Sequence, residues 1–350
     1  MTNELTTILD DTVNRLFADH VTKELISAAE TGQWPAALWA LIEEAGLCQV
    51  LVPEEQGGAG ASWADAFVLF KAVGAHVAPV PLAEGIVAHW AAARAGLSLD
   101  EGVSVPMLGD FTLDGDKLSG SASHVPYARY AANGVAIVDG DNGPHLVVAP
   151  IEHGLIEDDQ NIAREPRDKV RFEGISVTTQ PSALNADSLY VACALMKSCQ
   201  MAGALANVLD QTLRYANERT QFGKPIGKFQ AIQHQLAILA TQYAAANTAA
   251  AFACQKADKV WNQGANAGDP RFAVAVAKTR ADEAAGIATS IGHQTHGAIG
   301  FTYEHGLHFA TRRLWSWRAE YGAGIDWARE LGEIACERGA DTLWPDMTAA

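Results

Sequence analysis

From Leu5 to Ile26 the apolar residues Leu5, Ile8, Leu9, Val13, Leu16, Phe17, Val21, Leu25 and Ile26 recur at spacings of three and four, which predicts one amphipathic helix. The segment PAALWALIEEAGL places Pro35 in the first turn of a second helix and Gly46 at its stop. SWADAFVLFKAVGAH predicts a third that opens on Ser62, with Asp65 at the capping-box spacing. Residues 1–104 therefore read as an all-helical domain. Between the second and third helices lies VPEEQGGAGAS, residues 52–62. It has neither GxGxxG nor Walker spacing and no strand ahead of it, so it reads as a structural turn and not a phosphate cradle.

The pattern changes near Val105. FTLDGDKLSGSA, GVAIVDGDNGPHLVVAPI and DKVRFEGISV show short apolar alternation broken by Asp-Gly and Asn-Gly, the texture of hairpins in a small antiparallel β-domain over 105–180. The DGDNG at Asp139 is a turn and not a calcium loop, because its sixth and twelfth positions would be Pro144 and Pro150. From Leu184 to Arg318 the chain is helical again and rich in Ala, in three long pieces divided by FGKPIG and NQGANAGDP. Such helices pack side by side, so 181–350 reads as a helical bundle. The predicted fold class is α+β, mostly α.

With 350 residues and 49% hydrophobic content the chain can bury a large core. A formal charge of −16 argues against a nucleic-acid or membrane surface, since either needs a basic field. An anionic ligand must then be held by local cations. Five scattered cysteines (Cys48, Cys193, Cys199, Cys254 and Cys336), with no CxxC pair, read as buried thiols of a reducing, cytoplasmic protein. No apolar run reaches the ~18 residues of a membrane span, so a soluble protein without membrane insertion is expected.

One stretch concentrates local cations: RTQFGKPIGKFQAIQHQLA, 219–237. Arg219 and Lys224 flank a tight turn, Phe222 offers a ring, and Gln230, Gln233, His234 and Gln235 open the next helix. These donors suit a diphosphate or an adenine edge. Read without further context, the same residues make a helix-turn-helix corner with a salt bridge or two. The stretch resembles the Arg-x-x-Phe-Gly-x-x-Ile-x-x-x-Gln signature of the flavin-dependent acyl-CoA dehydrogenases, through Arg219, Phe222, Gly223, Ile226 and Gln230. LWALIEEAGLCQVLVPEEQGGAGASWAD resembles the N-terminal helix and Gly-rich turn of that family, and QTHGAIGFTYEH its late Gln-x-x-Gly-Gly-x-Gly-Phe-x-x-Glu element. The three fall in family order.

The resemblance implies an acyl-CoA dehydrogenase fold: an N-terminal helical domain, a middle β-domain and a C-terminal four-helix bundle that mediates assembly. It implies FAD as cofactor, with Arg219, Phe222 and Gln230 reaching the nucleotide end of a flavin on a neighbouring subunit, and Gln294 and Gly297 adding contacts. The family segments that wrap the flavin ring, Thr-Glu-Pro-x-x-Gly-Ser-Asp and Trp-Ile-Thr/Ser, are missing, and Ser121, Ser123 and His124 are the available substitutes. The family's catalytic Glu falls on Tyr321, and its alternative position on Cys193 and Ala194. An unperturbed tyrosine, with a pKa of about 10, is a poor base for removing an α-proton. The catalytic residue is thus unknown, with Glu320 and Asp326 as candidates after a shift, and Glu320 faces the wrong way if its segment is helical. Glu304, after Phe301, reads as a helix-start carboxylate placed to pair with Arg312 or Arg313. His293 with His296, and Glu304 and His305 with His308, do not form HExxH and read as non-metal histidines. No GxSxG supports a serine hydrolase.

A chain that keeps cross-interface nucleotide contacts but lacks ring-binding and base residues resembles the shorter subunit of heteromeric acyl-CoA dehydrogenases, α2β2 enzymes acting on bulky CoA thioesters such as steroid side chains. The expected partners are an acyl-CoA substrate, a homo- or hetero-oligomeric neighbour and an electron-transfer flavoprotein or similar acceptor. The alternatives are a homo-oligomeric enzyme with its base moved to Glu320 or Asp326, and a non-catalytic scaffold without flavin.

Overall fold

The helix expected over Leu5–Ile26 is two helices, α1 (Glu4–His20) and α2 (Lys23–Ala29). The break comes from Thr22, whose extended backbone (φ −100°, ψ 164°) lets its hydroxyl accept the Leu25 N–H at 3.2 Å. A local cap outcompetes the continuous apolar stripe. Helix α3 (Ala36–Glu44) begins one residue after Pro35 and stops ahead of Gly46, which is left-handed at φ +64°. Helix α4 (Trp63–Ala75) opens on the reciprocal bonds the sequence predicts: Ser62 N–H to Asp65 Oδ2 at 3.0 Å and Asp65 N–H to Ser62 Oγ at 3.1 Å. Helix α5 (Leu82–Arg94) places Trp90 edge-on to Trp63, ring centroids 5.2 Å apart.

The Gly-rich connector bonds to itself. Gly58 N–H reaches Pro53 O (3.1 Å), Gly60 N–H reaches Val52 O (2.9 Å) and Ala61 N–H reaches Val50 O (2.8 Å). A Cβ on Gly58 would lie 2.1 Å from Val52 O. These amides close a turn, as the absence of a phosphate-loop spacing leads one to expect.

Eight strands follow: β1 (Ser104–Pro106), β2 (Gly109–Asp114), β3 (Lys117–Pro126), β4 (Asn133–Gly140), β5 (Gly143–Pro150), β6 (Leu155–Glu157), β7 (Arg167–Ser176) and β8 (Thr178–Pro181). They form two four-stranded sheets ordered β1-β4-β5-β8 and β2-β3-β7-β6. The expectation of a purely antiparallel domain needs one correction, because β1 pairs with β4 in parallel, Ser104 opposite Asn133. The two strands are far apart in sequence, so no hairpin connects them, and local turn signals do not report such a pair. β4 and β5 pair up to Gly140 opposite Gly143, and the turn expected at Asp141 and Asn142 lies outside the described residues.

The computed structural model describes residues 4–140, 143–263 and 269–348 and divides into two units. The first is Met1–Val73 with Ala78–Met196, and the second is Gly74–Val77 with Lys197–Ala350. Helix α6 (Ala186–Glu218) runs on into a two-residue ladder, β9 (Thr220–Gln221) and β10 (Lys224–Pro225), and then α7 (Gln230–Gln263), α8 (Arg271–His296), α9 (Leu307–Trp317), α10 (Gly324–Arg338) and α11 (Ala340–Thr348). α8 packs against α7, α9 and α10. Ala246, Ala250, Ala253 and Ala257 form a fully buried small-residue stripe along α7, which permits close helix approach. Helix α6 has the length and mean apolarity of a membrane span, although no uninterrupted apolar run signals it, and 89% of its most apolar window is buried inside the protein.

The Ser62–Asp65 box gives the first prediction. Ser62→Ala should lower stability by about 1 kcal/mol, read as a shift of the urea midpoint at unchanged slope. An unchanged midpoint would show that the box contributes nothing.

Candidate functional site

The residues of the 219–237 stretch come together at the end of α6. Arg219 N–H bonds Tyr215 O (2.8 Å) as the helix ends, and Arg219 O accepts the Ile226 N–H (2.8 Å) across the ladder. Between the strands Phe222 (φ +51°) and Gly223 (φ +77°) are both left-handed, the geometry of a tight two-residue hairpin turn. Gly adopts it without strain, whereas Phe222 is held there with its ring 93% exposed. Lys224 Nζ sits 4.4 Å over the Phe229 ring. Arg219 and Gln230 are exposed, and their side chains have no polar partner among the described residues. The salt-bridge reading of this corner therefore has no support at Arg219.

Gln294 and Gly297 stand at the end of α8 and are also exposed. Gly297 (φ +64°, ψ −147°) ends the helix with its N–H on His293 O, and a 3-10 turn (Gly297–Phe301) follows. A Cβ on Gly297 would meet nothing within 4 Å, so its role here is conformational. The four histidines nearby each pack against an aromatic or histidine ring, and two of them also make a hydrogen bond. His296 stacks on Tyr215 at 4.5 Å with Nδ1 on Gly292 O, and His293 stacks on Phe301 at 4.2 Å with Nε2 on Thr311 Oγ1. His305 meets His296 edge-on, and His308 meets Tyr303 edge-on. Burial holds His293 and His296 below the usual imidazole range and takes His308 to about 4, with Arg312 adding to the effect. Among the described residues no three His, Cys, Asp or Glu side chains are grouped to hold a metal.

The two carboxylate candidates are in different settings. Helix α9 stops at Trp317, so the 318–322 segment is a turn, and the helical-rotation argument against Glu320 does not apply. What fixes Glu320 is an ion pair: its Oε2 lies 3.1 Å from Nζ of Lys197, a lysine with no solvent exposure. That ammonium also sits 5.1 Å from the Trp317 ring and 5.9 Å from the Tyr321 ring. A second buried lysine, Lys278, donates to Trp317 O and Arg318 O, both at 3.0 Å, and caps the end of α9. Burial brings Lys278 down to about 7; Lys197 and Arg318 add to the shift, and Glu320 and Asp282 oppose it. Tyr321 is left-handed (φ +55°), and its carbonyl accepts the Trp327 indole N–H at 2.9 Å. Asp326 lies in the first turn of α10, exposed, with Arg329 at 3.9 Å. Cys193 and Ala194 are fully buried. Glu304 lies in a turn before α9, not at the helix start, because Gly306 (φ +77°) separates it from Leu307. Sequence reasoning missed Lys197 and Lys278. Each is a single cation on an otherwise apolar helical face, and that was the signal available.

On the first unit, the pairing of β3 with β7 shifts register between Ala122 and Val125. Ser123 and His124 sit in this irregularity, exposed, with His124 left-handed at φ +59°. Ser121 stays paired, opposite Arg171.

Two family profiles match the chain: the one described as acyl-CoA dehydrogenase, N-terminal domain, over residues 3–97, and the one described as acyl-CoA dehydrogenase, C-terminal domain, over residues 193–323. The acyl-CoA dehydrogenase IpdE2 of Mycobacterium tuberculosis is 29% identical over 324 residues, covering 87% of this chain and 89% of its own length. Among solved structures, a steroid ACAD described as the Tcur3481-Tcur3483 G363A variant superposes with a TM-score of 0.84 at 26% identity, over 95% of this chain and 98% of the other. A chain of the ChsE4-ChsE5 complex from Mycobacterium tuberculosis shares the fold with a TM-score of 0.85 at 19% identity, over 97% and 99% of the two chains.

The buried lysines make two predictions. Lys197→Met removes the cation 3.1 Å from Glu320 and should cost about 3–5 kcal/mol, with a large part recovered in the Lys197→Met/Glu320→Gln double variant. Additive losses would mean that the pair is not coupled. Lys278 is held below its unfolded value, so between about 7 and 10.5 the unfolded chain binds a proton that the folded chain does not. Stability from this group is therefore lowest below pH 7 and rises through that window. Denaturant midpoints measured at pH 7 and pH 9 should show the rise, and Lys278→Met should abolish it; an identical pH dependence in that variant would refute the assignment.

Proposed function

The chain belongs to the acyl-CoA dehydrogenase family, and on that premise we propose that it is one subunit of a heteromeric acyl-CoA dehydrogenase, completing an FAD site carried mainly by its partner. The observation that carries this reading is the Lys197–Glu320 pair. The carboxylate next to the position of the family base is held by a fully buried ammonium 3.1 Å away, and Tyr321 occupies the position itself. A carboxylate so paired is a weak proton acceptor, because the cation favours its ionised form.

The nucleotide-side residues fit an anionic cofactor. The Arg219 guanidinium and the Gln230 and Gln294 amides are exposed donors with no polar partner among the described residues. In this reading Arg219 neutralises the diphosphate, Phe222 packs its exposed ring against the partner or the nucleotide, and Gln230, Gln294 and Gly297 add donors and close backbone approach. FAD, when bound, supplies the acceptor for the β-hydrogen of an acyl-CoA thioester as hydride. The α-proton goes to a carboxylate of the partner subunit.

The bundle over 181–350 is the assembling and flavin-contacting part, with 1–104 and 105–180 as the helical and β-domains before it. Similarity to the Tcur3481-Tcur3483 steroid ACAD and to a chain of the ChsE4-ChsE5 complex supports a two-polypeptide enzyme and a bulky steroid-type acyl group. The electron acceptor is an electron-transfer flavoprotein or its equivalent, and the setting is the cytoplasm.

Flavin content of the chain alone and with a candidate partner is the test. Arg219→Ala should weaken FAD binding about ten- to a hundredfold with the oligomer intact. Glu320→Gln, which keeps an oxygen for Lys197, and Asp326→Asn should both retain flavin bleaching by acyl-CoA. A loss of about a thousandfold in either, with flavin bound, places the base on this chain and sinks the heteromer reading.

A further inference from the structure

The first unit contains a cavity of about 330 Å³ that the dehydrogenase reading does not use. Its walls come from the end of α3, the 3-10 turn Leu47–Gln49, one residue of α5 and the segment 99–102. Four carboxylates line it, Glu43 and Glu44 from α3 and Asp100 and Glu101 from the opposite segment, and no lysine or arginine does. A narrow cleft with one sign of charge concentrates ions of the other.

The innermost polar group is His89, 8% exposed. Its Nδ1 lies 2.9 Å from Gly85 O, which only accepts, so Nδ1 carries the proton. Burial lowers the affinity of this imidazole for a second proton, against the opposing effects of the Gly85 carbonyl and Glu43. The ring is therefore neutral near pH 7, and its Nε2 is a lone pair with no partner among the described residues. The imidazole lines the cavity, so this lone pair is available to a donor bound there. Beside it Cys48 packs against α5, since a Cβ on Gly85 would come within 3.1 Å of its Sγ. Burial and the nearby Glu43 carboxylate push that thiol to about 12, which keeps it neutral. Glu43 is oriented by the Gly102 N–H, 2.8 Å from its Oε1, and its Oε2 has no hydrogen-bond partner among the described residues.

We propose that this cavity binds an aliphatic diamine or polyamine, one primary ammonium donating to His89 Nε2 and Glu43 Oε2 while the second is held by the carboxylates at the mouth. Four features select this ligand class. A primary ammonium has donors for both an imidazole lone pair and a carboxylate oxygen. The carboxylates on the two walls match a second cation a few methylenes away, with Leu99 along the path. A metal is disfavoured because no three ligating side chains are grouped among the described residues. The volume is at the small end of ligand pockets, which suits a slender chain and not an aromatic ligand.

The test uses the full chain at fixed ionic strength, titrated with 1,4-diaminobutane and with spermidine by calorimetry, with nitrogen NMR on ¹⁵N-histidine protein. Saturable one-site binding is expected, with the His89 Nε2 resonance moving on saturation. Glu43→Gln and Glu101→Gln should each weaken binding about fivefold or more, while Glu333→Gln, the same charge change on α10, should not. Equal weakening in Glu333→Gln would reduce the effect to the chain's diffuse negative field and overturn the proposal. So would the absence of saturation up to ~10 mM ligand, or saturation without any change at His89. None of these readouts depends on flavin or turnover, so they stand or fall apart from the dehydrogenase reading.

Discussion

The second unit is organised around a charge problem. Two lysines, Lys197 and Lys278, have no solvent exposure, and an ammonium taken out of water costs several kcal/mol unless its donors are satisfied. The chain satisfies them within one short stretch. Lys278 takes the last two carbonyls around Trp317, Lys197 takes the Glu320 carboxylate, and Asp282 with Arg318 adds a further pair at 2.5 Å. The end of α9, the left-handed Tyr321 and the start of α10 are thereby fixed together. The proposed assignment of the catalytic carboxylate to a partner subunit rests on this same stretch, because the pair holds Glu320, the carboxylate next to Tyr321.

Much of the fold was legible because its signals are local. The Ser62–Asp65 box, the Gly46 stop and the Phe222–Gly223 turn each need only a few neighbouring residues, and each lies where the sequence puts it. Periodicity alone overran α1 because it counts apolar positions and does not weigh a threonine that bonds back to the backbone. The parallel β1–β4 pair was out of reach for the opposite reason: its partners are distant in sequence and no turn chemistry links them.

The candidate site divides along the same line. The corner residues Arg219, Phe222 and Gln230 were readable from one contiguous motif, and the structure shows all three exposed, Phe222 edge-on to Phe229 and the other two side chains with no polar partner among the described residues. The setting of Glu320 was not readable, because its partner lies on α6, more than a hundred residues earlier. A lone lysine among apolar residues is ambiguous between a surface position and a buried partner, and only the tertiary fold decides between them.

The connector at 52–62 has a consequence at the level of heredity. Gly58 is confined by Val52 O, Val52 Cβ and Gln49 O, at 2.1, 2.4 and 2.6 Å from the point a Cβ would occupy. Every coding change at a glycine codon that yields another amino acid adds that carbon. Two of the three obstacles are backbone oxygens, which do not rotate aside as a side chain would. Codon 58 is thus a position where the genetic code offers no conservative step, and Gly57 beside it, left-handed at φ +89°, resists change for a separate, conformational reason.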